Sequence, residues 1–229
     1  MKVKGYKLLQ YNGIDWQVFP LAEHVILLEC SKDVPIEIIH QSTHRIIDLL
    51  SDQVEDIVPS YHSIAIFTQL SIRDLIEKLS DQFAGTNQQS NSKKVMKLPI
   101  CYEFGLDLKR VSEKTQLSEE HIIERHLNRI YRAIFIGFTP GFVYADGLDT
   151  SLACERLSNP RKMVEAGSIG IGGNQTGIYS LGSPGGWNII GRTPATLFDK
   201  TKQPPMKLDV GGQYQFFRIT QEEFEQWEN

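Results

Sequence analysis

The first part of the chain alternates short apolar runs with two amphipathic segments. Runs rich in aliphatic and aromatic side chains predict strands at residues 6–11, 16–19, 24–30 and 61–68. Apolar residues at helical spacing predict a helix over Pro35–Leu50, with proline in its first turn. A second helix is predicted over Ser71–Phe83, because Ser71 is a suitable N-cap and Asp74 follows three residues later. Strands interleaved with two helices indicate a small α+β sandwich.

The second part begins with one strand and two short helices and then changes character. Lys97–Tyr102 predicts the strand, and residues 107–126 predict the helices, the second of which starts at Ser118. From Tyr131 onward helical periodicity disappears, and apolar runs alternate with glycine and proline turns, a pattern typical of a β-barrel or sandwich. These runs predict strands at residues 132–136, 168–171, 187–190 and 214–219.

A polar segment separates the two parts and predicts a flexible linker at residues 85–94. We therefore expect one domain over residues 1–84 and a second over residues 95–229. The composition, 41% hydrophobic and 23% charged, suits ordinary globular domains with a hydrophobic core. A net charge of −4 provides no positive field for sequence-tolerant nucleic-acid binding, so no nucleic-acid partner is expected.

Apolar stretches and cysteines indicate a cytoplasmic protein. The most apolar stretch, Ala133–Tyr144, contains a proline and is too short to span a bilayer, and the N-terminus has no apolar region typical of a signal peptide. No membrane partner is expected. The three cysteines lie far apart without a Cys-x-x-Cys spacing, which indicates reduced thiols and no zinc site.

His40 and His44 share a helical face but lack the glutamate of a zinc-protease motif, so we expect exposed side chains and no metal.

A glycine-rich, uncharged block is the most unusual part of the sequence. Twelve of the 18 glycines fall between Gly137 and Gly191, and no residue from Ala166 to Gly191 carries a charge. The block also offers polar side chains, among them Asn174, Gln175, Thr176 and Tyr179. One interpretation is a pocket for a small polar molecule, where glycines let backbone amides approach the ligand. The other is that the glycines supply turn and bulge geometry for curved strands.

Candidate ionisable residues flank this block. His126 ends a predicted helix, where its imidazole is suited to act as an acid, a base or a hydrogen-bond donor. The helix C-terminus favours the cationic form of the ring. The alternative is that His126 is a simple helix cap or a surface histidine. Arg161 and Arg192 are the basic residues closest to the block, and each either binds a carboxylate or phosphate or forms a surface salt bridge. Four aromatic residues either line a pocket or belong to the core: Phe138, Phe142, Tyr144 and Trp187.

Three long motifs carry a specific resemblance. They are Gly137-Phe-Thr-Pro-Gly-Phe142, Ala166-Gly-Ser-Ile-Gly-Ile-Gly-Gly-Asn-Gln-Thr-Gly-Ile-Tyr179 and Ser183-Pro-Gly-Gly-Trp-Asn-Ile-Ile-Gly-Arg-Thr-Pro194. In this order they resemble the family of the 5-oxoprolinase B subunit, or allophanate hydrolase subunit 1, which includes the sporulation-kinase inhibitor Kip. The match extends through Leu98–Tyr102, Phe104–Leu108, His126, Leu197–Asp199 and, more loosely, Tyr61–Ser63.

The resemblance implies a fold and a set of partners. The fold class is α+β, with a small ferredoxin-like N-terminal domain followed by a cyclophilin-like β-barrel domain. The activity is that of an ATP-dependent 5-oxoprolinase, which opens 5-oxo-L-proline to L-glutamate with a second barrel subunit and a third subunit, so the chain is inactive alone. Two alternatives within the family stay open. One is an inhibitor of a sensor histidine kinase, and the other is a carboxyltransferase component of an amide- or urea-processing complex.

The resemblance also implies site residues and cofactors. Opening an amide-like carbonyl needs donors for the developing oxyanion and cations for phosphate or carboxylate. Catalytic roles are therefore expected for His126, Gln175 and Arg161. Substrate binding is expected for Phe142, Gly172, Asn174, Thr176, Tyr179 and Arg192. ATP with Mg²⁺ is expected at the level of the complex, and no bound biotin, because Pro205-Met-Lys-Leu208 is a poor match to a biotinylation site. Glu165 stands where the family usually has proline.

Overall fold

The computed structural model describes residues 7–81 and 95–228 of the chain. The chain divides into two compact units, Met1–Ser92 and Lys93–Asn229. The predicted linker at residues 85–94 lies outside the described residues, so the linker and the exact domain boundary stay predictions.

The N-terminal unit is a five-stranded sheet with two helices. Its elements in chain order are β1 (Lys7–Tyr11), β2 (Ile14–Ala22), β3 (Val25–Glu29), α1 (Ile36–Leu50), β4 (Val54–Pro59), β5 (Ser63–Thr68) and α2 (Ile72–Asp81). The sheet order is β1-β2-β3-β5-β4, and every neighbouring pair is antiparallel. Strands β3 and β4, which α1 connects, therefore run parallel with β5 between them, the split βαβ arrangement of ferredoxin-like folds.

Alternating strand residues and the inner faces of both helices build one core in this unit. Trp16, Ile39, Ile64 and Leu75 are fully buried in it. Strand β4 was not predicted, because its side chains are mostly exposed or half-buried and lack a clear alternation. The expectation that His40 is exposed is wrong: it lies on the inner side of α1 with only 5% of its surface accessible. Burial is common where a helical residue faces a sheet.

The C-terminal unit is a barrel with three helices. Its elements are β6 (Met96–Ile100), α3 (Leu108–Thr115), α4 (Glu119–Leu127), β7 (Tyr131–Ile136), β8 (Val143–Asp146), β9 (Arg161–Val164), β10 (Ser168–Gly172), β11 (Gln175–Ile178), β12 (Ser183–Gly185), β13 (Asn188–Arg192), β14 (Gln213–Arg218) and α5 (Gln221–Glu225). Seven strands form one sheet in the order β13-β10-β11-β8-β7-β14-β6, and β9 pairs with β12. Only the β14–β6 pair of the seven-stranded sheet is parallel.

The two edges of the seven-stranded sheet meet at one point. Cys101, which follows β6, forms a bridge with Arg192 at the end of β13. Two backbone hydrogen bonds join them, from the Cys101 amide (2.8 Å) and from the Arg192 amide (2.9 Å). The sheet is therefore a nearly closed barrel, which removes most of its exposed edge. The predicted α+β fold class with a C-terminal barrel is confirmed.

Aliphatic side chains from the strands and from α3 and α4 fill the barrel unit. Ile100, Val111, Ile122 and Ile169 are fully buried in this core. The three cysteines are free thiols. Helix α5 lies in the region after Tyr131, where the sequence shows no helical periodicity. It is a five-residue helix held by a capping box between Thr220 and Glu223, too short to show periodicity in the sequence.

Candidate functional site

The glycine-rich block forms a hairpin that is covered by the indole ring of Trp187. Strands β10 and β11 join through a two-residue turn, in which Gly173 has φ +68° as a tight hairpin requires. A Cβ on Gly172 would lie 2.6 Å from the Trp187 ring, and a Cβ on Gly177 would lie 2.9 Å from it. These two glycines therefore make room for an aromatic ring, in addition to any role in turns or ligand approach.

Trp187 belongs to a small aromatic cluster outside the main barrel core, which we call the Trp187 cluster. Its buried members are Phe142, Val164, Tyr179, Trp187 and Ile189, with half-buried Tyr144 packed against them. The ring of Phe142 lies edge-on to those of Tyr179 (centroids 4.8 Å apart) and Trp187 (5.7 Å). Such edge-to-face pairs stabilise a fixed arrangement of rings. The aromatic residues near the glycine block thus pack on one another and form a wall.

A partly buried ion pair lies beside this wall. Asp107 is the N-cap of α3, and its Oδ2 accepts the backbone N–H of Ile189 at 2.7 Å. Its Oδ1 accepts a hydrogen bond from Arg161 Nη2 at 2.6 Å. The side chain of Asp107 is 7% exposed and that of Arg161 is 26% exposed. A carboxylate with this little access to water needs both partners, because an unpaired buried charge is costly.

The local backbone explains why Asp107 reaches strand β13. Gly105 packs so closely on the strand that a Cβ there would lie 2.4 Å from the carbonyl oxygen of Ile190. The Asp107 amide then donates to the Ile189 carbonyl at 2.8 Å, which fixes the first turn of α3 on the strand. Glycine permits this contact because it lacks a side chain.

Positive charge collects around the Trp187 cluster. The guanidinium of Arg156 lies over the Trp187 ring, 5.3 Å from its centroid, a cation–π contact. Arg110 Nε donates to Asn188 Oδ1 at 3.0 Å. The Nη1 atom of Arg161 is buried and has no hydrogen-bond partner among residues 7–81 and 95–228. Three arginines with one buried carboxylate give this region the cations expected of an anion site.

The pKa of Tyr179 shows how the charges act on the cluster. Burial raises the pKa of this phenol, whereas a backbone hydrogen bond and the positive charges of Arg156 and Arg161 act to lower it. Both arginines therefore lie near Tyr179, but burial outweighs their charges and the pKa of the phenol stays above its ordinary value.

His126 lies elsewhere, in the main barrel core. It is fully buried, its Nδ1 shares a 2.7 Å hydrogen bond with the Tyr102 hydroxyl, and its ring stacks on Phe216 with centroids 4.9 Å apart. Burial lowers the pKa of His126 to about 3, so the expected cationic form is wrong. Its Nε2 is buried without a hydrogen-bond partner within the described part of the chain. A catalytic role for His126 stays a prediction that this closed environment does not favour.

Arg192 is held by surface contacts instead of facing the Trp187 cluster. Its Nη1 pairs with the exposed carboxylate of Glu165, and its Nε donates to the Ala166 carbonyl at 2.8 Å. Its guanidinium also lies 5.6 Å from the centroid of the Phe224 ring. Glu165, which replaces the proline usual in the family, is thus the ion-pair partner of Arg192. This arrangement corresponds to the surface salt bridge that the sequence left open as an alternative.

The remaining predicted residues lie in the β10–β11 hairpin. Thr176 is fully buried, and its hydroxyl donates to the Gly170 carbonyl at 3.1 Å, which ties the hairpin together. At the turn, Asn174 is exposed and Gln175 is half-buried.

The structure therefore brings together Phe142, Gly172, Tyr179 and Arg161 near Trp187. Thr176 lies opposite Ile171 and Ala145 of the main barrel core, on the other face of the hairpin from Gly177 and the Trp187 ring, and the contacts of His126 and Arg192 lie outside the Trp187 cluster.

Asp107, Arg110 and Arg156 were not predicted as part of the site. Only Asp107 had a signal in the sequence, since it lies in the matched segment Phe104–Leu108. Arg110 and Arg156 are ordinary charged residues whose contacts depend on the fold.

Within the described residues there is no cluster of three or more histidine, cysteine or acidic side chains that could hold a metal ion. Over the same residues, no helix is both long and apolar enough to cross a membrane.

Comparison with known proteins now decides the family. The profile described as "Carboxyltransferase domain, subdomain C and D" matches residues 16–208. The chain belongs to this carboxyltransferase-domain family. It is 33% identical to the 5-oxoprolinase B subunit of Haemophilus influenzae over 204 residues, which cover 87% of the chain and 96% of that protein. It is 38% identical to the 5-oxoprolinase B subunit of Bacillus subtilis over 154 residues, which cover 66% of the chain and 63% of that protein. The chain thus spans less than two thirds of the Bacillus relative.

Two solved structures are similar to the fold of this chain. The chain matches the crystal structure of TTHA0988 with a TM-score of 0.75 at 27% identity, covering 85% of this chain and 40% of that one. It matches the protein PH0987 from Pyrococcus horikoshii with a TM-score of 0.56 at 32% identity, covering 90% and 99%. The resemblance inferred from the three motifs is therefore confirmed.

Proposed function

We propose that this chain is a subunit of an ATP-dependent 5-oxoprolinase, which opens the lactam of 5-oxo-L-proline to L-glutamate. The observation that carries the proposal is its similarity to the 5-oxoprolinase B subunit of Haemophilus influenzae over nearly the whole length of that protein. The name of that relative also implies further subunits. We therefore assign the activity to a complex with a second barrel subunit and a third subunit, and we expect the chain to be inactive alone.

The geometry of the Trp187 cluster supports this activity. Lactam opening places negative charge on the carbonyl oxygen, and both the substrate and ATP carry anionic groups. Arg161 offers cationic donors with one nitrogen held by Asp107, and half-buried Gln175 offers an amide at the hairpin turn. The buried aromatic side chains of the Trp187 cluster lie near Arg161 and limit the access of water there, which strengthens its contacts. We assign ATP and its Mg²⁺ to the complex as a whole.

The family description favours one second candidate function. A carboxyltransferase component would act with a biotin carrier and would need bicarbonate, whereas a 5-oxoprolinase needs neither. Inhibition of a sensor histidine kinase has no observation in this chain that favours it, and it enters only as an outcome of the test.

Reconstitution tests the proposal directly. We would measure ATP-dependent release of glutamate from 5-oxo-L-proline with the purified chain alone and after mixing it with its candidate partner subunits. Glutamate released only by the mixture, without biotin or bicarbonate, is the expected result. Turnover that requires biotin and bicarbonate would assign the chain to carboxyl transfer. Absence of turnover in every mixture, together with loss of autophosphorylation of a histidine kinase, would assign it to kinase inhibition.

A further inference from the structure

We propose that Arg161 and Ser183 form a subsite for the carboxylate group of the substrate, which makes Ser183 a further substrate-binding residue. This inference rests on the proposed function, because 5-oxo-L-proline carries one carboxylate beside its lactam. Ser183 begins β12, the short strand that pairs with the strand of Arg161.

Strands β9 and β12 form a two-stranded ribbon with one face turned to the Trp187 cluster. Arg161 lies opposite Gly185, and Val164 lies opposite Ser183. Cross-strand partners share a face of an antiparallel pair, so these four residues lie on one side of the ribbon. Val164 is buried in the Trp187 cluster, which identifies this side as the inner face. The residues between the two pairs are exposed: Lys162, Met163 and Pro184.

The hydroxyl of Tyr179 lies at the inner face of the ribbon. A Cβ on Gly185 would lie 2.3 Å from this oxygen, so the phenol fills the space of the missing side chain. Arg161 lies opposite Gly185, and its charge acts on the pKa of Tyr179. Burial keeps that pKa above its ordinary value, so the phenol stays protonated at neutral pH and is able to donate a hydrogen bond.

Two polar atoms of the inner face are buried and unpaired. Within residues 7–81 and 95–228, neither Nη1 of Arg161 nor Oγ of Ser183 has a hydrogen-bond partner. Only 4% of the surface of Ser183 is accessible. A buried polar atom without a partner costs free energy, so a pair of them on one face is expected where a ligand supplies the acceptors.

The charges beside the ribbon define the ligand class. Two acidic side chains near β9 are already paired, Asp107 with Nη2 of Arg161 and Glu165 with Arg192. Nη1 of Arg161 is therefore a cationic donor left for an anion, with the neutral hydroxyl of Ser183 on the same face. One cationic donor and one hydroxyl suit the two oxygens of a carboxylate with a single negative charge.

The substitution Ser183→Ala tests the subsite in the reconstituted complex. It removes an unpaired buried hydroxyl, so we expect the thermal midpoint of the chain to equal or exceed the wild-type value. The KM for 5-oxo-L-proline should rise by about tenfold, the value of one hydrogen bond to a charged group, whereas the KM for ATP stays unchanged. Ser158→Ala is the matched control, because Ser158 is exposed and lies three residues before Arg161.

A binding measurement separates the subsite from the proposed activity. Calorimetric titration of the chain, alone and in the assembled complex without ATP, would use 5-oxo-L-proline, inorganic phosphate and 2-pyrrolidinone, the same lactam without its carboxylate. We expect the wild-type chain to bind 5-oxo-L-proline about tenfold or more tightly than 2-pyrrolidinone in at least one of the two forms. Ser183→Ala and Arg161→Gln should each reduce this preference, because each removes a donor to the carboxylate.

Each outcome decides for or against the subsite. Equal affinity of the wild-type chain for the two lactams, binding of neither, or an unchanged preference in Ser183→Ala would overturn it. Loss of stability in Ser183→Ala would show a structural partner for the hydroxyl and would also overturn it. So would a loss confined to ATP or phosphate, which would assign the donors to a phosphate group.

The subsite and the proposed activity can fail separately. If Ser183→Ala loses the preference for 5-oxo-L-proline while no wild-type mixture releases glutamate, the subsite stands and the activity fails. If the wild-type complex releases glutamate and Ser183→Ala has the same KM as Ser158→Ala, the activity stands and the subsite fails.

Discussion

The main barrel core around His126 and the Trp187 cluster are both rich in aromatic rings, yet they differ in charge and access. The ring of His126 is enclosed by uncharged groups, and burial lowers its pKa to about 3. The Trp187 cluster is bordered by the guanidinium groups of Arg156 and Arg161 and by a paired carboxylate. Aromatic surroundings alone therefore do not mark a reactive site; the charged groups at the border distinguish the two regions.

The largest expected effect concerns the carboxylate at the border of the cluster. Asp107→Ala leaves Arg161 partly buried without its partner and removes the acceptor of the Ile189 amide. We expect it to lower the free energy of unfolding by about 3–5 kcal/mol, measured by urea unfolding. Glu165→Ala is the control, because this carboxylate is 69% exposed and its pair with Arg192 should contribute only about 0–1 kcal/mol. Equal losses in the two variants would remove the distinction between these ion pairs.

The burial of His126 should make the free energy of unfolding depend on pH. The unfolded chain protonates His126 below about pH 6.5 whereas the folded chain does so only near pH 3, so stability falls as the pH decreases between these values. The expected contribution is about 1.4 kcal/mol for each pH unit within that window.

His126→Phe removes this dependence. The variant keeps a ring against Phe216 but leaves the Tyr102 hydroxyl without its partner, so it starts less stable at pH 7. Urea unfolding at several pH values should then show a shallower acid dependence than in the wild-type chain. His121→Phe is the control on the same helix, where the side chain is exposed. An unchanged slope in His126→Phe would mean that His126 is accessible to protons in the folded state.

A smaller effect is expected for the glycines beneath Trp187. In Gly172→Ala the new methyl group meets the Trp187 ring at 2.6 Å, so the ring must move at a cost of about 1–3 kcal/mol. Gly137→Ala is the matched control, because a Cβ there meets no atom within 4 Å. Thermal unfolding compares the two variants. A fully stable Gly172→Ala would show that the indole does not need the glycine surface.

The sequence predicted the architecture better than the contacts of the site. Strands such as β10 and β13 were visible as apolar runs, whereas β11 was missed because Gln175–Ile178 contains glycine and polar residues without alternation. Strand β9 was missed for a similar reason, since Arg161 is half-buried, Lys162 and Met163 are exposed and no alternation results. Barrel closure depends on residues 91 positions apart (192 − 101), and no local pattern encodes such a pairing.

The candidate site illustrates the same limit. The motifs drew attention to the region of Trp187, but Arg161 and Arg192 were equivalent in the sequence because both border the uncharged block. The two arginines differ in their ion-pair partners. Arg161 pairs with buried Asp107, whereas Arg192 pairs with exposed Glu165, and the sequence shows neither pairing. His126 was misjudged in its charge because a helix C-terminus favours a cation only where water or a counterion reaches it.

The most direct test compares the two regions in one assay. In the reconstituted complex, kcat/KM for 5-oxo-L-proline would be measured for Arg161→Gln and for His126→Phe, each first shown to be folded and bound to its partners. Our account predicts a decrease of about 10- to 100-fold for Arg161→Gln, the value of a charge-assisted hydrogen bond, and turnover close to wild type for His126→Phe. An inactive His126→Phe beside a fully active Arg161→Gln would contradict the assignment of the chemistry to the Trp187 cluster.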